Sequence, residues 1–112
     1  MEADLELLKG LQQEDPEFST NMTIYFLEQV PDYMSDLHTH QEDMEQLRKA
    51  AHSFKGVCLN LGFQTLGDAI KELEYAAKNQ EKNRIEAHID AIEQHIQNLI
   101  PHLKAFLGTQ FS

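Results

Sequence analysis

An unbroken repeat of apolar residues near the end of the chain limits its possible folds more than any other feature. The apolar side chains recur at alternating spacings of four and three residues, at Ile85, Ile89, Ile92, Ile96, Leu99, Leu103 and Phe106. This spacing is typical of one face of an α-helix, and such a face has to be buried against other elements. The repeat therefore predicts a helix over about residues 83–107, bent at Pro101 and ended by Gly108.

The rest of the chain predicts further helices and shows no strand-like alternation. Apolar spacing places these helices at about residues 3–13, 16–39, 44–60 and 64–79. Four long helices joined by short loops indicate an all-α fold. We expect an antiparallel, up-down four-helix bundle with the short N-terminal helix as a cap.

Local signals fix the starts of two helices. Asp15 followed by Pro16 is typical of a helix start. Asp43, with Gln46 three residues later, resembles a capping box with aspartate in place of serine or threonine. Pro31 falls inside the second helix and predicts a kink or break just before it.

Length and composition indicate one domain spanning residues 1–112. A hydrophobic content of 41% is ordinary for a globular chain. The single cysteine, Cys58, excludes an intrachain disulfide. The acidic N-terminus does not resemble a signal peptide, and no apolar run is long enough to span a membrane. We therefore expect a cytoplasmic protein with no membrane partner.

Charge is unevenly distributed along the chain. The net charge of −10 argues against nucleic acid as a partner. Residues 48–78, however, carry a net charge of +2, from five basic side chains against three acidic ones. A basic segment in an acidic protein suggests contact with an acidic partner, although chance clustering on a solvated face would look the same.

His52 is predicted to face solvent on the third helix. At 100° per residue, one direction is shared by the apolar residues Leu47, Ala50, Ala51, Phe54, Cys58 and Leu61. His52 points about 160° away from that direction. This placement argues against a histidine buried in the core.

The neighbours of His52 on this face suggest a contact surface. One turn away lie Arg48, Lys49, Lys55 and Gly56, and Leu59 follows two turns on. Glycine in a helix costs about 1 kcal/mol relative to alanine, and close approach by another molecule is a physical reason to keep one. The alternative is a tolerated glycine beside an ordinary exposed leucine.

Residues 51–74, AHSFKGVCLNLGFQTLGDAIKELE, resemble the signature of histidine phosphotransfer (Hpt) domains, the relay modules of multistep two-component signalling. The matching positions are Ala51, His52, Ser53, Lys55, Gly56, Leu61, Gly62, Leu73 and Glu74. Phe54 replaces the usual leucine, and Val57 and Cys58 replace the usual small residues. The predicted bundle and its proline-containing helix extend the resemblance over most of the chain.

The resemblance implies roles for individual residues. His52 would be phosphorylated, with Lys55 beside the phosphoryl group and Gly56 allowing close docking. Glu74 would hydrogen-bond the ring of His52. The helical pattern places Glu74 at the edge of the apolar stripe of the fourth helix, within reach of the third. The alternative for Glu74 is a solvated surface carboxylate.

The resemblance also implies the partners. The chain would accept a phosphoryl group from a receiver-domain aspartate and pass it to another, in response regulators or hybrid histidine kinases. Arg48, Lys49 and Lys71 would steer the acidic receiver. We expect Mg²⁺ in the receiver, no cofactor or metal in this chain, and a monomer. No nucleotide motif is present, so we expect no ATP-dependent kinase activity of its own.

Two alternative functions stay open from the sequence. The bundle would act as a non-catalytic interaction module if it only bound a partner through the Leu59 face. It would also fit a phosphoryl-accepting domain served by a histidine kinase acting in trans. A metal-binding bundle is disfavoured because no Glu-x-x-His occurs. The histidines of the last helix, His88, His95 and His102, are expected to flank its apolar stripe.

Overall fold

The structure of the chain, a computed structural model, describes the backbone of residues 5–111 and the side chains of residues 5–108. Within this part the chain is helical and contains no strand, which confirms the predicted all-α class. The start predicted for the first helix at residue 3 lies outside the described residues. The elements are α1 (Glu6–Glu14), α2 (Pro16–Thr39), α3 (Met44–Asn60), α4 (Gln64–Lys78), a 3₁₀ turn (Lys82–Arg84) and α5 (Ile85–Phe111).

The two predicted N-caps are formed. The Asp15 carboxylate accepts a hydrogen bond from the backbone N–H of Phe18 at 3.1 Å. The Asp43 carboxylate accepts one from the backbone N–H of Gln46 at 3.2 Å. Each bond satisfies a donor that the first turn of a helix leaves unpaired. This explains why α2 and α3 begin at the residues that the sequence indicates.

Pro31 does not break α2, which runs continuously from Pro16 to Thr39. Val30 and Leu37, on either side of the proline, are both buried in the core. A proline inside a helix costs about 3 kcal/mol, and burial of an apolar side chain returns about 1.5–3 kcal/mol. Packing on both sides of Pro31 therefore keeps the helix intact.

The predicted end of α5 at Gly108 is wrong. The helix passes through both Pro101 and Gly108 and continues to Phe111. A glycine ends a helix when it adopts a left-handed conformation. Gly62 does so after α3, with a φ of +82°, whereas Gly108 does not. A right-handed glycine only weakens the helix by about 1 kcal/mol.

Four helices form a closed ring of contacts. α2 packs against α3 and α5, and α4 packs against the same two helices. Every residue of the apolar repeat of α5 is buried between them, as predicted. The largest fully buried side chains come from all of the helices and from the α3–α4 turn, and they include Leu8, Phe26, Leu37, Leu47, Phe54, Phe63, Leu66, Ile70, Leu73, Ile89, Ile92 and Leu99.

The short helix α1 packs against α2 and against the turn between α3 and α4. The Ser19 hydroxyl donates a hydrogen bond to the backbone carbonyl of Leu8 at 3.0 Å. A Cβ atom added at Gly62 in the turn would lie 2.8 Å from the Cβ of Leu7. Close packing at this glycine therefore joins α1 to the end of α3.

None of the helices, over the residues that the structure describes, is long and apolar enough to cross a membrane.

Candidate functional site

Buried residues on either side fix how α3 and α4 present their polar side chains. Ala51 and Phe54 on α3 and Leu73 on α4 are fully enclosed in the core. Because successive helical residues turn by 100°, His52 then points outward from α3. Its side chain is 65% exposed, whereas that of Glu74 is only 18% exposed. The predicted exposure of His52 is confirmed.

Glu74 reaches across from α4 to the imidazole of His52. The Nδ1 atom of His52 lies 2.8 Å from the Oε2 atom of Glu74. An ionised carboxylate only accepts hydrogen bonds, so Nδ1 carries the hydrogen and donates it. The contact between these two residues, expected from the resemblance, is therefore present. It leaves Nε2 as the ring nitrogen that does not take part in this contact.

Lys55 occupies the second oxygen of the same carboxylate. Its Nζ atom lies 2.6 Å from the Oε1 atom of Glu74. Oε1 is shielded from solvent, and this short contact is an ion pair. The sequence placed Lys55 beside His52 but did not predict its pairing with Glu74. The spacing of Lys55 and His52 by one helical turn was the available signal.

Competing effects act on the pKa of Glu74. Burial of the carboxyl raises the pKa, but the contacts with Lys55 and His52 outweigh it. The net result is a pKa below the ordinary value. Glu74 is therefore ionised at neutral pH and available to both partners.

Gly56 leaves the approach to this site open. Apart from the two neighbouring residues and the backbone of α3 itself, no atom of the described residues lies within 4 Å of the position that a Cβ atom would take there. The glycine is therefore not required by packing within the chain. This agrees with a role in close approach by another molecule, and it sets Gly56 apart from Gly62.

Leu59 is 39% exposed, as predicted for the outer face of α3. Its side chain lies across Gly67 of α4, where an added Cβ atom would be 2.5 Å from the Cδ2 atom of Leu59. The sequence did not predict this contact between Leu59 and Gly67. A buried glycine inside an amphipathic helix was the signal for it.

The predicted docking cations have different surroundings. Arg48 contacts Glu45 at 2.7 Å, and this hydrogen bond raises the pKa of Arg48 and lowers that of Glu45. The positive charge of Arg48 is thus partly offset within the chain. Lys49 lies in a groove between α2 and α3. Lys71 lies in a separate groove between α3 and α4, beside Lys55 and Glu74.

Two other kinds of reactive group, a thiol and a cluster of metal ligands, provide no second site in the described part of the chain. Burial raises the pKa of the Cys58 thiol to about 12, which leaves it a poor nucleophile. Among the described residues, no group of three or more histidine, cysteine, aspartate or glutamate side chains could hold a metal ion. The histidines of α5, His88, His95 and His102, are half-buried beside the core residues, as expected. An oriented and exposed imidazole, with a lysine and a carboxylate beside it, is suited to nucleophilic chemistry.

Comparisons with known proteins agree with this geometry. The family model of the Hpt domain matches residues 21–104. No curated protein and no solved structure matches the chain. The matched range contains the whole of α3 and α4, and with them the cluster of His52, Lys55 and Glu74. Since the match covers well over half of the chain, the protein belongs to the Hpt domain family, whose members carry out phosphotransfer through a histidine in two-component systems.

Proposed function

We propose that this chain is a phosphorelay intermediate that carries the phosphoryl group on His52. The group would arrive from the aspartate of one receiver domain and leave to the aspartate of another. The observation that carries the proposal is the hydrogen bond from Nδ1 of His52 to Glu74, made by a side chain that is otherwise exposed. This bond fixes the tautomer in which Nε2 holds a free electron pair.

The transfer step follows from that tautomer. The Nε2 electron pair attacks phosphorus, and the N–P bond forms as the P–O bond to the aspartate breaks. The aspartate leaves as a carboxylate, while Nδ1 keeps its proton and its hydrogen bond to Glu74. Transfer to the second receiver reverses these changes. Because an acyl phosphate is already a reactive donor, positioning contributes more than activation.

The neighbouring residues support this step. The ammonium group of Lys55 is held at the site by Glu74 and would offset charge on the transferred group. Gly56 leaves room for the receiver to approach. We infer that the receiver supplies Mg²⁺ and that this chain needs no cofactor. The ring of helix contacts and the short loops support the antiparallel, up-down bundle expected for α2 to α5.

A two-receiver transfer assay tests the proposal. Receiver domains from the source organism are labelled with radioactive phosphate, incubated with the chain, and then mixed with unlabelled receivers. We expect an acid-labile, base-stable label that appears on the chain and moves on to a second receiver. His52→Gln should abolish it, whereas His38→Gln, which replaces an exposed histidine at the end of α2, should not.

Other outcomes would contradict the proposal. Label that remains on the His52→Gln variant would exclude His52 as the carrier. Label accepted only from a histidine kinase and ATP, and from no receiver, would favour the phosphoryl-accepting domain of a kinase. A chain that binds receivers without accepting label would be an interaction module.

A further inference from the structure

A second feature of the site is the groove that runs along its α4 side. The groove has a volume of about 180 Å³ and is lined by Lys55, Lys71, Glu74, Tyr75 and Lys78. Tyr75 is 62% exposed, although it is a large aromatic residue. The groove borders the carboxylate that orients His52, so a molecule lying in it would also be next to the imidazole.

Two lysines of the groove lie on the same face of α4 as Glu74. Lys71 precedes Glu74 by three residues and Lys78 follows it by four, so all three share one face of α4. The carboxylate of Glu74 is already paired with Lys55. Lys71 and Lys78 are exposed, and neither forms a salt bridge with any residue in the described part of the chain.

The groove on the other side of α3 differs in charge. It has a volume of about 250 Å³. The negative charge of Asp36 in its lining balances the positive charge of Lys49. His40, Gln46 and Ser53 also line it. Of these two grooves, the one on the α4 side therefore has an excess of positive charge and the other does not.

We propose that Lys71 and Lys78 bind a carboxylate-bearing edge of the incoming receiver domain and so determine its orientation over His52. This inference rests on the proposed function. The chain has a net charge of −10, so an acidic partner is repelled by most of the surface and attracted at this groove. Tyr75 adds an apolar contact between the two ammonium groups. The groove thus extends the docking surface along α4 to Tyr75 and Lys78.

The test compares two variants with the same change in charge. In Lys71→Gln/Lys78→Gln the groove loses both free cations. In Lys82→Gln/Lys104→Gln two exposed lysines outside the groove are replaced. Transfer from a phosphorylated receiver is measured as a function of receiver concentration, at about 50 mM and about 300 mM salt.

We expect the groove variant to raise the KM for the receiver by roughly fivefold at low salt, since charges at the edge of an interface act mainly on encounter. The control variant should change KM by less than about twofold. Higher salt should raise the KM of the wild type, and the difference in KM between the wild type and the groove variant should become smaller.

An equal KM for the groove and control variants at low salt would overturn this inference. That result would leave the proposed function intact, because labelling of His52 in the wild-type chain tests that function separately. Circular dichroism of both variants confirms that an altered KM is not due to unfolding.

Discussion

A single carboxylate, that of Glu74, contacts both polar side chains that α3 presents at the site. Its Oε2 atom orients the imidazole of His52, and its Oε1 atom holds the ammonium group of Lys55. A change at Glu74 therefore affects the tautomer of the nucleophile and the position of the nearest cation together. Glutamine in its place would keep an oxygen acceptor but lose the charge.

Substitutions of Glu74 separate the contribution of its oxygen acceptor from that of its negative charge. Loss of a hydrogen bond to a charged group costs about 1.5 kcal/mol, which corresponds to about a tenfold slower step. We expect Glu74→Ala to slow phosphotransfer about tenfold or more, and Glu74→Gln to slow it less because an acceptor remains. Single-turnover transfer from a phosphorylated receiver measures both. Glu72→Ala, an exposed carboxylate two residues away, is the control, and a similar loss there would argue against a specific role for Glu74.

The pKa of Glu74 predicts how the stability of the chain depends on pH. The folded-state pKa lies below the ordinary value of 4.5, so at acid pH the unfolded state binds this proton more readily. The stabilisation by ionised Glu74 is therefore complete above about pH 4.5 and is lost as the pH falls through the lower folded-state pKa.

Urea unfolding of the wild type and of Glu74→Gln, from about pH 7 to about pH 3, measures this effect. We expect the difference in free energy of unfolding to stay constant down to about pH 5 and to shrink below it. A difference that grew on acidification would contradict the assigned direction of the pKa shift. Glu72→Gln provides the matched control.

At the scale of elements, two glycines at α3 have opposite relations to the packing. Gly56 faces open space, whereas Gly62 has a φ of +82° and closely approaches Leu7 of α1. Alanine is favoured over glycine in a right-handed helix by about 1 kcal/mol. At a left-handed position it is disfavoured by about 1–2 kcal/mol.

Thermal unfolding distinguishes the two positions. We expect Gly56→Ala to raise the stability by about 0.5–1 kcal/mol and Gly62→Ala to lower it by at least about 1 kcal/mol.

The larger substitution Gly56→Gln should keep the fold but slow transfer, because its side chain obstructs the docking receiver. Transfer at an unchanged rate in Gly56→Gln would remove close approach as the reason for the glycine.

The helix starts were predictable from the sequence because they depend on local chemistry. Asp15 and Asp43 cap α2 and α3 through bonds within a single turn, and such contacts are encoded by neighbouring residues. The end of α5 was not predictable in the same way. Gly108 and Pro31 are both weak helix residues, and a helix continues through them where the backbone stays right-handed, as at Gly108, or where packing on both sides holds it, as at Pro31.

At the scale of the whole molecule, the sequence predicted the exposure of His52 but not the pairing of Lys55 with Glu74. Helical periodicity showed that His52 is exposed and that its surroundings are basic. The pairing of Lys55 with Glu74 depends on how α3 and α4 lie against each other and on side-chain conformations. The same is true of Leu59 lying across Gly67. The sequence carries only indirect signals of such contacts between two helices, namely the spacing of Lys55 from His52 and a glycine inside an amphipathic helix.

The distribution of charge also emerges only in the folded molecule. The basic segment 48–78 contains five cations along the chain, but folding pairs Arg48 with Glu45 and Lys55 with Glu74. Lys71 and Lys78 remain together in one groove. A net count along the sequence therefore predicted an acidic partner, while the structure shows on which side of His52 the two lysines without a salt bridge lie.

The central claim, that Nε2 of His52 carries the phosphoryl group, is tested most directly by nuclear magnetic resonance of the phosphorylated chain. The intact protein is phosphorylated by a receiver or by phosphoramidate, and the phosphorus–nitrogen coupling is recorded with ¹⁵N-labelled histidine. We predict one phosphohistidine, at Nε2 of His52, and no such signal in His52→Gln. A phosphoryl group on Nδ1 of His52, or on any other residue, would contradict the account.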